Sequence, residues 1–177
     1  MIIISKKRSG LGSEHPLCDR VQLIMMILFF IVWGIDSLSF FIFKYSTVFI
    51  NIISLPILSL PAFFTMVFGL YLIAKSHNVV LVKKTEKPRF IDSGVYSFVR
   101  HPMYLGILIF CLSFFFVSLS ISSLGIWLLF FIIYDRMATF EENDLVRTLG
   151  KKYINYQSRV PKWFPRLQIF LATSKMK

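Results

Sequence analysis

Apolar residues fall along the chain in long runs parted by short polar breaks. Val21 to Phe43 is apolar over 23 residues apart from Gln22, Asp36 and a few serines, enough for a helix rising about 1.5 Å per residue to cross a hydrocarbon core of about 30 Å. Lys44 to Thr47 interrupt it, and a second run follows from Val48 to Ala74 with Pro56 and Pro61 inside. Splitting that run at its prolines leaves pieces too short to cross, so one long, kinked or tilted helix is predicted. A third run, Pro102 to Val117, and a fourth, Leu124 to about 140, flank the serine-rich turn Ser118–Ser123. These last two form an antiparallel hairpin, and the fourth carries a polar extension beginning at Asp135 and Arg136. The pattern predicts an all-α integral membrane helical bundle: four transmembrane helices (about 21–43, 48–74, 102–117 and 124–140) with a cytoplasmic C-terminal helical and aromatic extension, all in a single membrane domain over 1–177.

Composition agrees. Hydrophobic residues make up 56% of the 177 and charged residues 16%, with 20 Phe and a mean hydropathy of +0.69, whereas soluble domains average about 45–50% and about 25%. The polar stretches are each too short for a nucleotide-binding α/β domain. Any cofactor must therefore be held by helix ends and tails. Cys18 and Cys111 are far apart and suggest no disulfide framework. The segment MIIISKKR has no following apolar stretch with a small-residue cleavage site, so it is expected to be retained.

Charge orients the spans. The segment before the first span holds four basic residues, the middle segment six and the part after Tyr134 nine, so 19 of the 20 Lys and Arg share one side if the spans are four and both termini are cytoplasmic. Only Lys44 falls on the other side. The net charge of +11 then lies on one membrane face, where anionic headgroups account for it without nucleic acid.

Few residues offer chemistry. Gly10-Leu11-Gly12-Ser13-Glu14-His15 lacks the third glycine of a dinucleotide fingerprint and follows no strand. His15, His77 and His101 are scattered and the cysteines isolated, so no metal site is expected. The informative stretch is Asp92 to Gly106, DSGVYSFVRHPMYLG, where the cytoplasmic middle segment enters the third span. Pro102 suits a first helical turn, which puts Arg100 and His101 at a helix N-terminus with its free amides and partial positive charge. Tyr104 lies one turn on, on a similar face. A second cluster, Glu141-Glu142, follows the fourth span, and neither glutamate has a Lys or Arg three or four residues away. Because the hairpin returns to the face it left, Arg100-His101-Pro102 and Glu141-Glu142 come together and can line one site. The tail beyond them, LGKKYINYQSRVPKWFP, is aromatic and basic and suited to fold back over it.

The segments GVYSFVRHPMYLG and EENDLVRTLGKKYINYQSRVPKWFP, joined by an apolar hairpin, resemble the carboxy-terminal half of the isoprenylcysteine carboxyl methyltransferase and phospholipid methyltransferase superfamily over residues 92 to 165. The resemblance implies an S-adenosylmethionine-dependent membrane methyltransferase whose cofactor region comprises 92–106 and 135–165. It implicates His101, Tyr104, Gly106, Glu141, Glu142, Tyr153 and Tyr156 in holding the cofactor. Arg100, Arg159 and His101 are the candidates for chemistry: an acceptor carboxylate, already ionised, needs only an arginine to orient it, whereas an amine must also lose a proton. The implied acceptor is a lipid or a prenylated molecule, with O-methylation of an isoprenylcysteine carboxylate ahead of N-methylation of a phospholipid ethanolamine. The chain's length is closer to the compact bacterial, archaeal and phospholipid-methylating members. An NADPH-dependent sterol reductase would call for eight or more spans and an Arg-Asp-Glu in place of the glutamate pair. A non-enzymatic scaffold would tolerate changes at His101 and Glu141.

Overall fold

The computed structural model describes residues 18–43, 55–82 and 92–164. These are helical, with no strand among them: α1 (Cys18–Phe43), α2 (Leu55–Val82), a short 3-10 helix (Gly94–Ser97), α3 (Pro102–Ser118), α4 (Ile121–Leu149) and α5 (Lys151–Arg159). Three helices are long and apolar enough to cross a membrane, over Arg20–Phe43, Ile57–Ser76 and Ile121–Leu149, and α3 is a shorter apolar helix.

Two boundaries differ from expectation, each for a local reason. The second helix is described from Leu55 and runs on to Val82, past the predicted end at Ala74; residues 48–54 lie outside the described set. Pro56 falls in its first turn, where no intrahelical N–H is lost, and Pro61 is accommodated inside a continuous helix. The predicted turn Ser118–Ser123 shrinks to Leu119 and Ser120, because Ser120 caps α4: the Ser123 N–H donates to Ser120 Oγ at 3.1 Å and Ser123 Oγ donates to the Ser120 carbonyl at 2.8 Å. Leu119 carries the reversal at φ 50°.

The described residues sort into two compact units. One comprises 18–43, 55–71 and 106–137. Here α1 meets α3 through aromatic rings: Phe114 makes edge contacts with Phe29, Phe30 and Trp33, and Trp33 Nε1 donates to the Phe114 carbonyl at 3.1 Å and to Ser118 Oγ at 3.0 Å. Ser120 Oγ donates to Asp36 Oδ2 at 2.6 Å, which gives the acidic residue inside the apolar run of α1 a polar partner where lipid would offer none. Between α2 and α3 the backbones approach so closely that a Cβ at Gly69 would lie 2.7 Å from the Phe110 nitrogen and 2.8 Å from the Gly106 carbonyl oxygen. Small residues at such crossings are what membrane helices use to pack in the absence of a hydrophobic drive. The outward faces of α1 and α2 are apolar, with Ile24, Ile31, Ile35, Phe63, Phe64 and Phe68 all exposed, as a hydrocarbon solvent requires.

The other unit comprises 72–82, 92–105 and 138–164. Its core is Tyr153, Tyr156 and Val160 of α5 and the turn after it, packed on Leu145, Val146 and Leu149 of α4. The fold-back between the two helices rests on Gly150 at φ 56°, ψ −132°, a conformation closed to residues with a Cβ. The Gly150 N–H closes α4 on the Val146 carbonyl at 2.9 Å, while its own carbonyl accepts the Tyr153 N–H at 3.1 Å and starts α5.

Candidate cofactor site

The second unit brings the two motif segments onto one another. His101 immediately precedes α3 and its carbonyl accepts the Leu105 N–H at 3.0 Å, so Pro102 occupies the first helical position, where a missing donor costs nothing. His101 and Tyr104 then project together, their rings parallel within 6° at 5.7 Å. From α4, one turn past Ala138, come Glu141 and Glu142.

Glu142 is bonded through both carboxylate oxygens. Arg100 Nε donates to its Oε1 at 2.9 Å and Arg100 Nη2 to its Oε2 at 3.2 Å. His101 Nε2 lies 2.9 Å from Oε1, and since a carboxylate only accepts, that nitrogen carries the proton. Gln157 Nε2 donates to Oε2 at 3.2 Å. Four donors fill the roughly four lone-pair positions of a carboxylate. Burial works against the charge of Glu142, but the His101 hydrogen bond, with the charges of Arg100 and Lys162 adding to it, holds its carboxyl below the usual carboxylate range.

Arg100 is equally committed. Besides Glu142 it donates through Nη1 to the carbonyls of Gln157 at 3.1 Å and Val160 at 3.2 Å, and its backbone N–H donates to the Pro161 carbonyl at 3.0 Å. It thereby ties the start of α3 to α4 and to the chain leaving α5. Lys162 Nζ, donating to Thr139 Oγ1 at 2.7 Å, fastens that same stretch, and the Trp163 ring lies 6.0 Å from His101.

Glu141 is placed differently. Its side chain is 20% exposed against 10% for Glu142; the Tyr104 hydroxyl donates to its Oε1, and His101 Nδ1 stands 3.7 Å from its Oε2, beyond hydrogen-bond range. Glu141 thus presents an oriented, accessible carboxylate beside two aromatic rings.

The tyrosines divide between support and wall. The Tyr156 hydroxyl donates to the Tyr96 carbonyl at 2.6 Å, pinning α5 to the 3-10 helix. Burial, reinforced by the charge of Glu141, pushes the Tyr96 phenol up to about 12; burial raises Tyr153 and Tyr156 as well, with Glu142 adding to the effect on Tyr153. All three stay neutral hydrogen-bonding groups at physiological pH.

Of the residues named from the sequence, Arg100, His101, Tyr104, Glu141 and Glu142 form one bonded cluster, and Tyr153 and Tyr156 form the core beneath α5. Two are placed elsewhere. Gly106 belongs to the first unit, with its carbonyl oxygen 2.8 Å from where a Cβ on Gly69 would lie. Arg159 is exposed and turns its Nε back to the Asn155 carbonyl at 3.2 Å. Sequence reading missed Gln157, which has no motif signal beyond lying one turn after Tyr153, and the carbonyls of Gln157, Val160 and Pro161, which no side-chain pattern reports. Among the described residues no three His, Cys, Asp or Glu side chains gather as a metal ion would require.

Known proteins resemble this chain in sequence and in fold. The family model described as phospholipid methyltransferase matches residues 60–152. A protein-S-isoprenylcysteine O-methyltransferase of Schizosaccharomyces pombe is 32% identical over 93 residues, 50% of this chain and 38% of that one. Protein-S-isoprenylcysteine O-methyltransferase B of Arabidopsis thaliana is 26% identical over 89 residues, 50% of this chain and 45% of that one. The matched segment is thus less than half the length of either relative. The solved structure of the eukaryotic intramembrane Ras methyltransferase, isoprenylcysteine carboxyl methyltransferase, shares the fold with a TM-score of 0.57 at 17% identity, covering 84% of this chain and 53% of that one.

Proposed function

The chain belongs to the phospholipid methyltransferase family, and from that membership we propose that it is an S-adenosylmethionine-dependent membrane methyltransferase acting on a lipid or prenylated acceptor. The observation that carries the reading is the bonded cluster of Arg100, His101 and Tyr104 with Glu141 and Glu142. These segments are about 40 positions apart in the chain, and the hairpin joins them at an accessible carboxylate flanked by aromatic rings.

The residues present fit that cofactor. A carboxylate matches its ribose hydroxyls or its ammonium, and the faces of Tyr104, His101 and Trp163 match a flat base and a sulfonium cation. When bound, the cofactor supplies an electrophilic methyl group; what the protein must add is alignment and exclusion of water rather than strong acid or base. Glu141 is the direct contact in this reading, oriented by the Tyr104 hydroxyl. Glu142 and Arg100 are positioning residues, their hydrogen-bonding capacity spent on each other, on His101 and on the turn after α5. Arg159 has no part in the cluster.

The names of the two relatives favour a prenylcysteine carboxylate as acceptor; the description of the family favours a phospholipid amine. The relatives' names decide for the carboxylate here; such an acceptor is already ionised, whereas an ammonium must first lose a proton. We further propose four spans, with α3 as the third, and both termini cytoplasmic. Labelling of cysteines placed at Ser46 and Ser122 from outside, with protection at Ser5 and Ser174, supports that topology, and the reverse pattern overturns it. The cofactor assignment is tested by binding of labelled S-adenosylmethionine to the purified protein in detergent.

A further inference from the structure

On the S-adenosylmethionine reading of the site, we propose that His101 couples cofactor binding to a proton: in the free site its Nδ1 holds a proton against Glu141, and a cationic cofactor seated on Glu141 expels that proton to solvent. His101 lies between two carboxylates. Its Nε2 bonds to Glu142 Oε1 at 2.9 Å, and its Nδ1 stands 3.7 Å from Glu141 Oε2. The bond to Glu142 fixes a proton on Nε2, so in the neutral ring Nδ1 is a bare lone pair beside an anionic oxygen. Two such acceptors repel, whereas a proton on Nδ1 turns the same approach into an ion pair. The Tyr104 ring, parallel to His101 with centroids 5.7 Å apart, offers the imidazolium an aromatic face.

The surroundings hold that proton in balance. Glu141 and Glu142 from α4 favour it. Burial of the ring opposes it, as do Arg100 on its own segment, held in the two-point pair with Glu142, and Lys162 beyond α5, which donates to Thr139 Oγ1. The Tyr104 hydroxyl of α3 donates to the other Glu141 oxygen. Tyr96 of the 3-10 helix and Tyr153 of α5 are pushed up by burial and by the charge of the glutamates and stay neutral. Imidazole is the member of this set whose charge changes within about pH 5–8. S-adenosylmethionine carries a sulfonium and an ammonium against one carboxylate and is a net cation. Once Glu141 contacts either positive group, it is no longer the partner of the imidazolium, and Nδ1 faces a second cation. The Nδ1 proton then leaves to water, the Nε2 proton stays on its bond to Glu142, and one positive charge has replaced another.

The full chain in detergent, its three histidines isotope-labelled at the ring nitrogens, is followed by NMR at about pH 6.5, where an ordinary imidazole is half charged. The His101 signal is the one absent from His101→Gln. Nδ1 should carry a proton in part of the free protein and lose it when S-adenosylmethionine is added. Titration calorimetry in two buffers of different ionisation enthalpy should find up to about one proton released per cofactor bound at acid pH, falling as the pH rises towards about 7.5, with affinity rising by at most about tenfold per pH unit. H101Q keeps a donor for Glu142 but cannot titrate, so it should release no proton over that range. Glu141→Gln should lower the protonated fraction of Nδ1 in the free protein. An Nδ1 signal that bound cofactor leaves unchanged overturns the proposal. So does proton release that persists in H101Q, or a protonated fraction that is the same in Glu141→Gln as in the wild-type chain. Failure of the folded wild-type chain to bind S-adenosylmethionine at any pH would instead refute the cofactor reading, and the Glu141→Gln comparison would still decide whether Glu141 holds the proton.

Discussion

Arg100 and Glu142, 42 positions apart, form a two-point pair in which Nε meets Oε1 at 2.9 Å and Nη2 meets Oε2 at 3.2 Å. Each is also bonded to the segment that folds back through α5. The pair therefore works as a fastening among three pieces of chain, and breaking one side leaves a charge largely buried without its partner. Removing one member of a buried pair costs about 3–5 kcal/mol. Arg100→Met and Glu142→Gln should each lower the melting temperature in detergent markedly. The double variant should cost less than the sum of the two, because the second change removes an already orphaned group. Full additivity would show that the pair is not coupled.

Glu141 is expected to behave in the opposite way. Glu141→Gln should leave thermal stability nearly unchanged while weakening S-adenosylmethionine binding by roughly one to two decades, the equivalent of a lost charge-assisted hydrogen bond at about 1.5–3 kcal/mol. Asp144→Asn, next along α4, should change neither. Calorimetric titration alongside thermal denaturation separates the three, and an equal, small effect at all of them would mean that the glutamates are a solvated helix face.

Gly69 sets the α2–α3 crossing. Gly69→Ala places a methyl 2.7 Å from the Phe110 nitrogen and 2.8 Å from the Gly106 oxygen, and since both are backbone atoms the helices themselves must part. The expected cost is about 1–3 kcal/mol, the range for overpacking. Gly34→Ala, with nothing within 4 Å, should be neutral or slightly stabilising on helix propensity. Thermal denaturation of the two variants side by side decides it.

Much of this was legible in the sequence. Long apolar runs require helices in a membrane, and a hairpin of two such runs returns Glu141 and Glu142 to the residues around His101 wherever its turn falls. The division of labour within the glutamate pair was not legible. It depends on which way each side chain faces and on donors supplied by Gln157, a residue with no signature, after a chain reversal that rests on Gly150. Gly106 adds another: a glycine inside a motif reads as room for a ligand, and no sequence pattern reports that its carbonyl also faces Gly69 on another helix. Helix ends were misjudged where a side chain captured the backbone, as Ser120 does at the start of α4, because a serine-rich stretch reads equally as turn or cap.

The most direct test of the central claim is transfer from methyl-tritiated S-adenosylmethionine to S-farnesylated N-acetylcysteine by the protein reconstituted in liposomes that also contain phosphatidylethanolamine, with the products separated by base treatment. The account predicts base-labile label, released as methanol from a methyl ester on the farnesylated acceptor. That label should fall at least about tenfold in Glu141→Gln at subsaturating cofactor, in step with the lost affinity. Base-stable label on phosphatidylethanolamine would move the acceptor to an amine while keeping the enzyme. Absence of label in either product, from folded protein at saturating cofactor, would contradict the account.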